Sequence, residues 1–409
     1  MENLFEVMMR PSSVFSDKGV LRMAYTPDQL PHRGDQIKAL AMGLMPALEG
    51  EAPSNVFLYG KTGTGKTATV RYVGKDLVEM GKAEDKRVEY VYINCEVVDT
   101  QYRVLARVAN HFAEGDRVPF TGWPTDEVYD RLRQRLESAH CIAIIVLDEI
   151  DRLVSKGGDE VLYNLSNLDD ELVHSRASII GASNDLCFAD RLDPRVRSRL
   201  REEEIIFPPY NAQQLLDILR QRAQLAFKPG VLQAPSLSLC AALAAQEHGD
   251  ARRALSLLKV AGEIADREGS PSVEDHHVMV AQSRIELNRV VEVVRTLPTQ
   301  SKIVLLAVIF GEESRIIPLN TGQIYSVYGE LCVEAALTLL TQRRITDLIS
   351  ELDSLGIINA RLVSKGRYGR TREIRLSVPI NEIKHVILMD ELLTPLKSYS
   401  IGRQVTLYP

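Results

Sequence analysis

No apolar run in this 409-residue sequence approaches the length of a membrane span. The N-terminus, Met1 to Arg10, lacks a charged stretch followed by an apolar one and a small-residue cleavage site, so no export signal is expected. Cysteine is scarce. Cys95, Cys141, Cys187, Cys240 and Cys332 are odd in number, widely scattered and never spaced as CxxC. That pattern excludes a disulfide framework, gives no sign of a zinc site, and points to a reducing, intracellular location. Cys95, Cys141 and Cys332 sit in apolar surroundings and read as small core residues. An excess of positive charge is missing too. The net charge is −6, which argues against a protein coated for indiscriminate nucleic-acid binding. Repeats and low-complexity tracts are absent. What remains is ordinary globular composition, 45% apolar and 25% charged, in a chain long enough for about two to four domains.

Against that background one stretch stands out, Gly60-Lys61-Thr62-Gly63-Thr64-Gly65-Lys66-Thr67. It follows the apolar run Val56–Tyr59 and precedes a helix-compatible segment, Ala68 to Val78. Strand, glycine-rich turn and helix form the context of a phosphate-binding loop. The glycines let backbone N–H groups of Gly60 and Thr62 to Gly65 converge on a phosphate. Lys66 would reach the β- and γ-phosphates, and the Thr67 hydroxyl would hold Mg²⁺.

The rest of the first half alternates strands and helices. Strands are expected at Val88–Asn94, Cys141–Leu147, Ala177–Ala182 and Glu204–Phe207. Helices are expected at about 34–48, 100–112, 125–139 and 159–172, with a short one after Asp193-Pro194. The fold class is α/β: a doubly wound parallel sheet over 1–210, with residues 1–34 an irregular lead-in. From 211 to 289 strand signals vanish, and four helices form a small helical domain. From 290 to 409 the order is helix, helix, helix, basic hairpin, the pattern of a winged helix-turn-helix. Its helices are expected near 302–310, 321–340 and 341–355, its strands at 357–364 and 372–378, and a final helix at 380–393.

Two acids, Asp148 and Glu149, close the buried apolar strand. Asp148 is placed to join Thr67 at the metal ion, and Glu149 to act as general base or orienter for water. Asn184 ends the neighbouring strand, from where its amide could reach the γ-phosphate or the water.

These features, with a helical lid, resemble an AAA+ ATPase. Leu30-Pro31-His32-Arg33, Leu192-Asp193-Pro194-Arg195-Val196, Phe207-Pro208-Pro209-Tyr210, Gly249–Leu255 and the winged tail make the resemblance more specific. The chain resembles the archaeal initiator family related to the largest origin-recognition-complex subunit and cell-division-cycle protein six. The resemblance implies ATP and ADP as ligands with Mg²⁺, and slow hydrolysis used as a switch. It implies that Arg252 is the lid arginine reaching the γ-phosphate. Tyr210, Arg222 and Arg33 match positions near the nucleotide. One of Arg195, Arg197 and Arg199 would act in trans on a neighbour's ATP, and Arg199 aligns best. Origin duplex DNA, further initiator protomers and the replicative helicase are the partners implied, in a cytoplasmic, nucleoid-associated setting.

For DNA, the hairpin is the sharpest signal. Arg361, Lys365, Arg367, Arg370, Arg372 and Arg375 lie in a stretch with a single acid, Glu373. Such a tip suits a phosphate track or the minor groove. In the presumed recognition helix, Gln342, Arg343, Arg344 and Thr346 suit DNA, whereas Asp347, Glu351 and Asp353 would repel phosphates. Only its first turn is therefore expected to touch DNA. The family also implies a contact within about 100–123, where Arg103, Arg107 and Arg117 are candidates. Two other readings share these motifs: a clamp-loader subunit, and a signalling NTPase whose winged helix binds protein.

Overall fold

The computed structural model describes residues 13–23, 25–200, 203–315, 318–364 and 370–399. The side chains of residues 199, 200, 364 and 370 are likewise outside the description. The chain forms two compact units, 1–279 and 280–409.

The first unit is built on five parallel strands: β1 (Val56–Tyr59), β2 (Val88–Asn94), β3 (Ile142–Asp148), β4 (Arg176–Ser183) and β5 (Glu203–Ile206). They lie in the order β2-β3-β4-β1-β5. Alternation along each strand feeds two cores. Phe57, Tyr59, Ala143, Ile145 and Leu147 enter one; Val56, Leu58, Ile142, Ile144 and Val146 enter the other. A sheet covered on both faces explains why β3 is apolar without interruption and buried throughout. Gly181 on β4 stands opposite Phe57, and a Cβ there would sit 2.7 Å from the phenyl ring.

The covering helices are α1 (Gly34–Leu44), α2 (Pro46–Glu49), α3 (Lys66–Ala83), α4 (Gln101–His111), α5 (Thr125–Ala139), α6 (Ile150–Gly157), α7 (Glu160–Asn167) and α8 (Pro194–Leu200). The helix expected over 34–48 breaks at Met45, because Pro46 starts a new one. One helix, α6, was not foreseen. Glu149 takes a left-handed φ of 59°, which turns the chain straight from β3 into α6.

Three helices follow: α9 (Ala212–Ala226), α10 (Ala234–Gln246) and α11 (Ala251–Glu268). Asn211 and Gln214 form a capping box on α9, and Asp250 caps α11 by accepting from the amides of Arg252 and Arg253. The described lead-in is laced onto these helices. Ser13 donates to Asp266 Oδ1, Lys18 pairs with Glu263 at 2.5 Å, and the Phe15 ring lies 4.9 Å from Phe227. Helix α12 (Asp275–Thr296) begins in the first unit and ends in the second.

The second unit packs α13 (Thr299–Glu313), α14 (Thr321–Glu334) and α15 (Gln342–Ser354) around one apolar core. The antiparallel hairpin β6 (Ile358–Ser364) and β7 (Arg370–Leu376) follows, then α16 (Ile380–Ile387). Helix α14 stops at Glu334, short of the expected Leu340. The chain reverses at Ala336, and the Leu340 amide donates to the Tyr328 hydroxyl. Helix α16 is likewise shorter than expected, and a 3₁₀ segment takes over at Glu391–Ser398. Among the described residues, no helix is long and apolar enough to cross a membrane.

Candidate nucleotide site and basic hairpin

A cleft of about 390 Å³ opens where the carboxyl ends of β1, β3 and β4 meet the amino end of α3 and the helices α9 and α11. Gly63, Thr64, Gly65, Lys66, Thr67, Asp148, Glu149, Asn184, Tyr210, Arg222 and Arg252 all line it. Gly63 and Gly65 adopt φ of 72° and 94°. A Cβ on Gly63 would collide with the Asp250 carboxylate, so the loop's crest lies directly against the amino end of α11. The Ala251 amide completes that contact by donating to the Gly63 carbonyl at 3.2 Å. Gly60 is buried against Phe207, where a Cβ would meet the Phe207 carbonyl, while Thr62 is exposed.

Lys66 is buried, and its Nζ donates to Gly60 O at 2.5 Å, Lys61 O at 3.0 Å and Asn184 Oδ1 at 2.9 Å. All three acceptors are neutral dipoles. Burial therefore dominates, and it pulls the ammonium pKa down to about 8 even though the Asp148 charge acts the other way. An ammonium held in this state gains by meeting an anion. Arg222 makes the same point. It is buried with its guanidinium 4.5 Å from the Tyr25 ring, and its Nη1 has no hydrogen-bond partner. Arg252 is exposed at the rim, and its charge is felt at both Lys66 and Glu149. These groups fit a polyanion such as a nucleoside triphosphate.

The oxygen donors fit a hard divalent cation. Thr67 Oγ1 donates to Asp148 Oδ2 at 2.7 Å, and the Glu149 amide donates to Asp148 Oδ1 at 3.1 Å. Burial, then the nearby charges of Glu96, Asp148 and Asp151, raise the Glu149 carboxyl above its ordinary range. A higher pKa makes Glu149 a stronger base toward water. Its left-handed backbone is a strained conformation held at the point where chemistry is expected. Asp151 holds Asn184 in place by accepting from its backbone N–H at 3.2 Å and from the Ser183 hydroxyl at 3.1 Å.

Arg33 is 2% exposed. Its guanidinium donates to Thr64 O at 2.8 Å, Pro208 O at 2.7 Å and His32 O at 3.2 Å, and lies 3.8 Å over the Tyr210 ring. It supports the loop from behind. Several residues lining the cleft escaped the reading of the sequence: Arg22, Tyr25, Arg71, Tyr92, Asn94 and Glu96. Tyr92 donates to Asp148 Oδ2 at 2.6 Å, and burial and that bond both push its hydroxyl pKa up. On a half-buried strand its alternation reads as core, so no sequence signal marked it.

Of the three arginines after Asp193, Arg195 is paired with Asp193 and Arg197 with Asp190 at 2.9 Å. The Arg199 side chain lies outside the described residues. Arg103, Arg107 and Arg117 are all exposed, with Arg103 paired to Asp99 at 3.4 Å.

In the second unit, Thr341 caps α15 by accepting from the Arg344 amide, and Gln342, Arg343 and Arg344 are exposed. Arg344 stands 3.8 Å from Asp347 and 3.9 Å from Glu351 on its own helix. The Thr346 hydroxyl donates to the Gln342 carbonyl. Arg372 donates to the Ser350 hydroxyl at 2.7 Å, which ties β7 to α15. Arg361 is directly opposite Glu373 in the hairpin register. Lys365 and Arg367 lie outside the described residues, as does the Arg370 side chain.

Comparison with known proteins matches three stretches of the chain to family models. Residues 50–183 match an AAA domain, residues 216–283 the Cdc6 AAA+ ATPase-type lid domain, and residues 292–386 the CDC6 C-terminal winged helix domain. The chain is 56% identical over 403 residues to an ORC1-type DNA replication protein of Pyrococcus abyssi, covering 98% of this chain and 96% of that one. It is 56% identical over 405 residues to ORC1-type DNA replication protein 1 of Methanosarcina mazei, with the same coverage. Among solved structures, the Aeropyrum pernix ORC1 protein in complex with DNA matches with a TM-score of 0.78 and 47% identity, over 95% of this chain and 100% of that one.

Proposed function

This chain belongs to the ORC1-type DNA replication proteins, an AAA+ family, and from that premise we propose an ATP-dependent replication initiator that binds origin duplex through its winged helix and ATPase domain and promotes helicase recruitment. The observation that carries the nucleotide half is the convergence of Lys66, Asp148, Glu149, Asn184 and Arg252 on one cleft. The loop amides of Thr62 to Gly65 cradle the phosphates, while Gly60 gives its own amide to the Ser183 carbonyl and serves the turn instead, and Lys66 and Arg252 neutralise the phosphates. Thr67 and Asp148 would hold Mg²⁺, which would supply charge stabilisation at the transferring phosphoryl group. Glu149 takes a proton from water, and Asn184 orients that water. Tyr210 and Arg222 flank the remainder of the nucleotide, and Arg33, expected beside it, acts instead from behind the loop because its guanidinium is buried on backbone carbonyls.

Hydrolysis is slow and serves as a switch. Because Asp250 and Ala251 rest on the phosphate loop, a change at the γ-phosphate is felt at α11. Arg199 of a neighbouring protomer completes the site. In this reading, 1–210 is the ATPase domain, 211–289 the lid and 290–409 the DNA-binding domain, working on the nucleoid in the cytoplasm. The first turn of α15 (Gln342, Arg343, Arg344, Thr346) and the hairpin residues Lys365, Arg367, Arg370 and Arg372 face DNA. Arg103, Arg107 and Arg117 offer a second, weaker contact from the ATPase domain.

The solved DNA complex of a relative that is 47% identical supports the DNA half. The test is binding to origin and random duplexes across a salt series, with ATP present. Wild type should prefer the origin. Replacing Lys365, Arg367 and Arg370 together should weaken binding and flatten the salt slope by about one for each phosphate no longer neutralised. Equal affinity for both duplexes, or no effect of the triple replacement, would sink the origin-binding reading.

A further inference from the structure

We propose that Tyr92 is a positioning residue for the divalent-cation site, holding the Asp148 carboxylate against Thr67. The inference rests on the nucleotide reading of the cleft. Asp148 Oδ2 accepts from two hydroxyls, Thr67 at 2.7 Å and Tyr92 at 2.6 Å, while Oδ1 accepts from the Glu149 amide at 3.1 Å. A carboxylate oxygen offers two lone pairs, so Oδ2 is saturated and the carboxylate plane is pinned from both sides. The two hydroxyls come from different elements, Thr67 from α3 and Tyr92 from β2, the strand beside β3.

Tyr92 is itself clamped. The Arg71 guanidinium lies 4.4 Å over its ring. Arg71 is one helical turn beyond Thr67, so α3 presents the cation-site hydroxyl and the clamp on the same face. A cation over the ring also draws electron density from the phenol and strengthens it as a donor. Tyr90, two residues earlier on the same face of β2, shows the alternative. Its hydroxyl donates to the Val70 carbonyl at 2.7 Å and has no part in the carboxylate. Two tyrosines in similar settings thus carry different duties, one closing a backbone acceptor and the other aiming Asp148. Without the Tyr92 hydroxyl, Asp148 keeps the Thr67 and Glu149 bonds but loses the third, so its carboxylate is held against Thr67 less firmly.

The test uses the full-length protein and a fluorescent ATP analogue. Its affinity is measured with divalent metal chelated and then through a Mg²⁺ titration, for wild type, Tyr92→Phe, Tyr90→Phe and Arg71→Gln. Tyr92→Phe should raise the Mg²⁺ concentration needed for half-maximal tightening about tenfold, the usual scale for a metal's outer-shell partners. Its metal-free affinity should stay at the wild-type value. Arg71→Gln should shift the Mg²⁺ requirement in the same direction by less. Tyr90→Phe should lower thermal stability and leave the Mg²⁺ requirement alone. A wild-type Mg²⁺ requirement in Tyr92→Phe, or an equal shift in Tyr90→Phe, overturns the proposal while leaving the nucleotide reading intact. Failure of wild type to bind the analogue under either condition overturns both.

Discussion

The nucleotide cleft and the first turn of α15 use the same residue types in opposite ways. In the cleft and directly behind its loop, Lys66, Arg222 and Arg33 are buried, and the acceptors of Lys66 and Arg33 include backbone carbonyls set by strand ends and turns. In the second unit, Arg343 and Arg344 are exposed, and Arg344 meets its acids at 3.8 and 3.9 Å across open helix surface. Buried cations bound to neutral dipoles are costly to assemble, and they hold geometry. Exposed cations cost little and adapt, which suits a partner recognised through its phosphates. Chemistry at a γ-phosphate needs the first arrangement; following a duplex backbone needs the second.

The comparison can be pushed hardest at Glu149. Glu149→Gln should slow single-turnover ATP hydrolysis by about 10²–10⁴-fold and leave equilibrium ATP binding in place. Loss of binding instead would mean the carboxylate holds the cleft together rather than serving the reaction. Lys66→Ala should come next, lowering ATP affinity by about 10–100-fold, since a charge-assisted bond in a buried site is removed. The same lysine predicts a pH signature. With its free-protein pKa near 8, Lys66 is charged below that value and neutral above it. Nucleotide binding at about pH 9 should therefore take up more protons, by about one per site, than binding at about pH 7. Calorimetry in buffers of different ionisation enthalpy reads this, and equal uptake at both values would break the contrast. The smallest effect belongs to the hairpin. Arg361 is opposite Glu373 in the register, so the acid's charge offsets its own toward phosphates, and Arg361→Ala should change DNA affinity by less than about twofold. A large drop would show that Arg361 reaches DNA despite its acidic neighbour.

Much of the cleft was legible because its parts sit where the chain changes element. Glycines after β1, acids after β3 and an asparagine after β4 announce themselves by following apolar runs. The residues that aim them were not legible. Tyr92 and Tyr90 look alike on a half-buried strand, and only the placement of α3 beside β2 tells them apart. The lead-in looked irregular because Pro27 and Pro31 punctuate it, yet Ser13, Phe15 and Lys18 are packed on helices more than 200 positions away. Such contacts carry no local pattern. The spacing on α15 predicts Ile345, Leu348, Ile349, Leu352 and Leu355 inward; the first four are buried, whereas Leu355 is 50% exposed because it sits at the C-cap, where the chain leaves the helix. The pairing of Arg361 with Glu373 needed the hairpin register, which composition does not specify.

Arg33 carries a consequence for how this molecule comes apart. Its charge is accommodated by carbonyls from the lead-in, the phosphate loop and the Phe207–Tyr210 turn, stretches far apart along the chain. Withdraw any one and a buried guanidinium is stranded without its full set of acceptors. The three stretches therefore open together or stay closed together, as one cooperative unit. Loosening the Phe207–Tyr210 turn would loosen the loop. Release of a spent nucleotide then becomes an event of this whole corner of the protein.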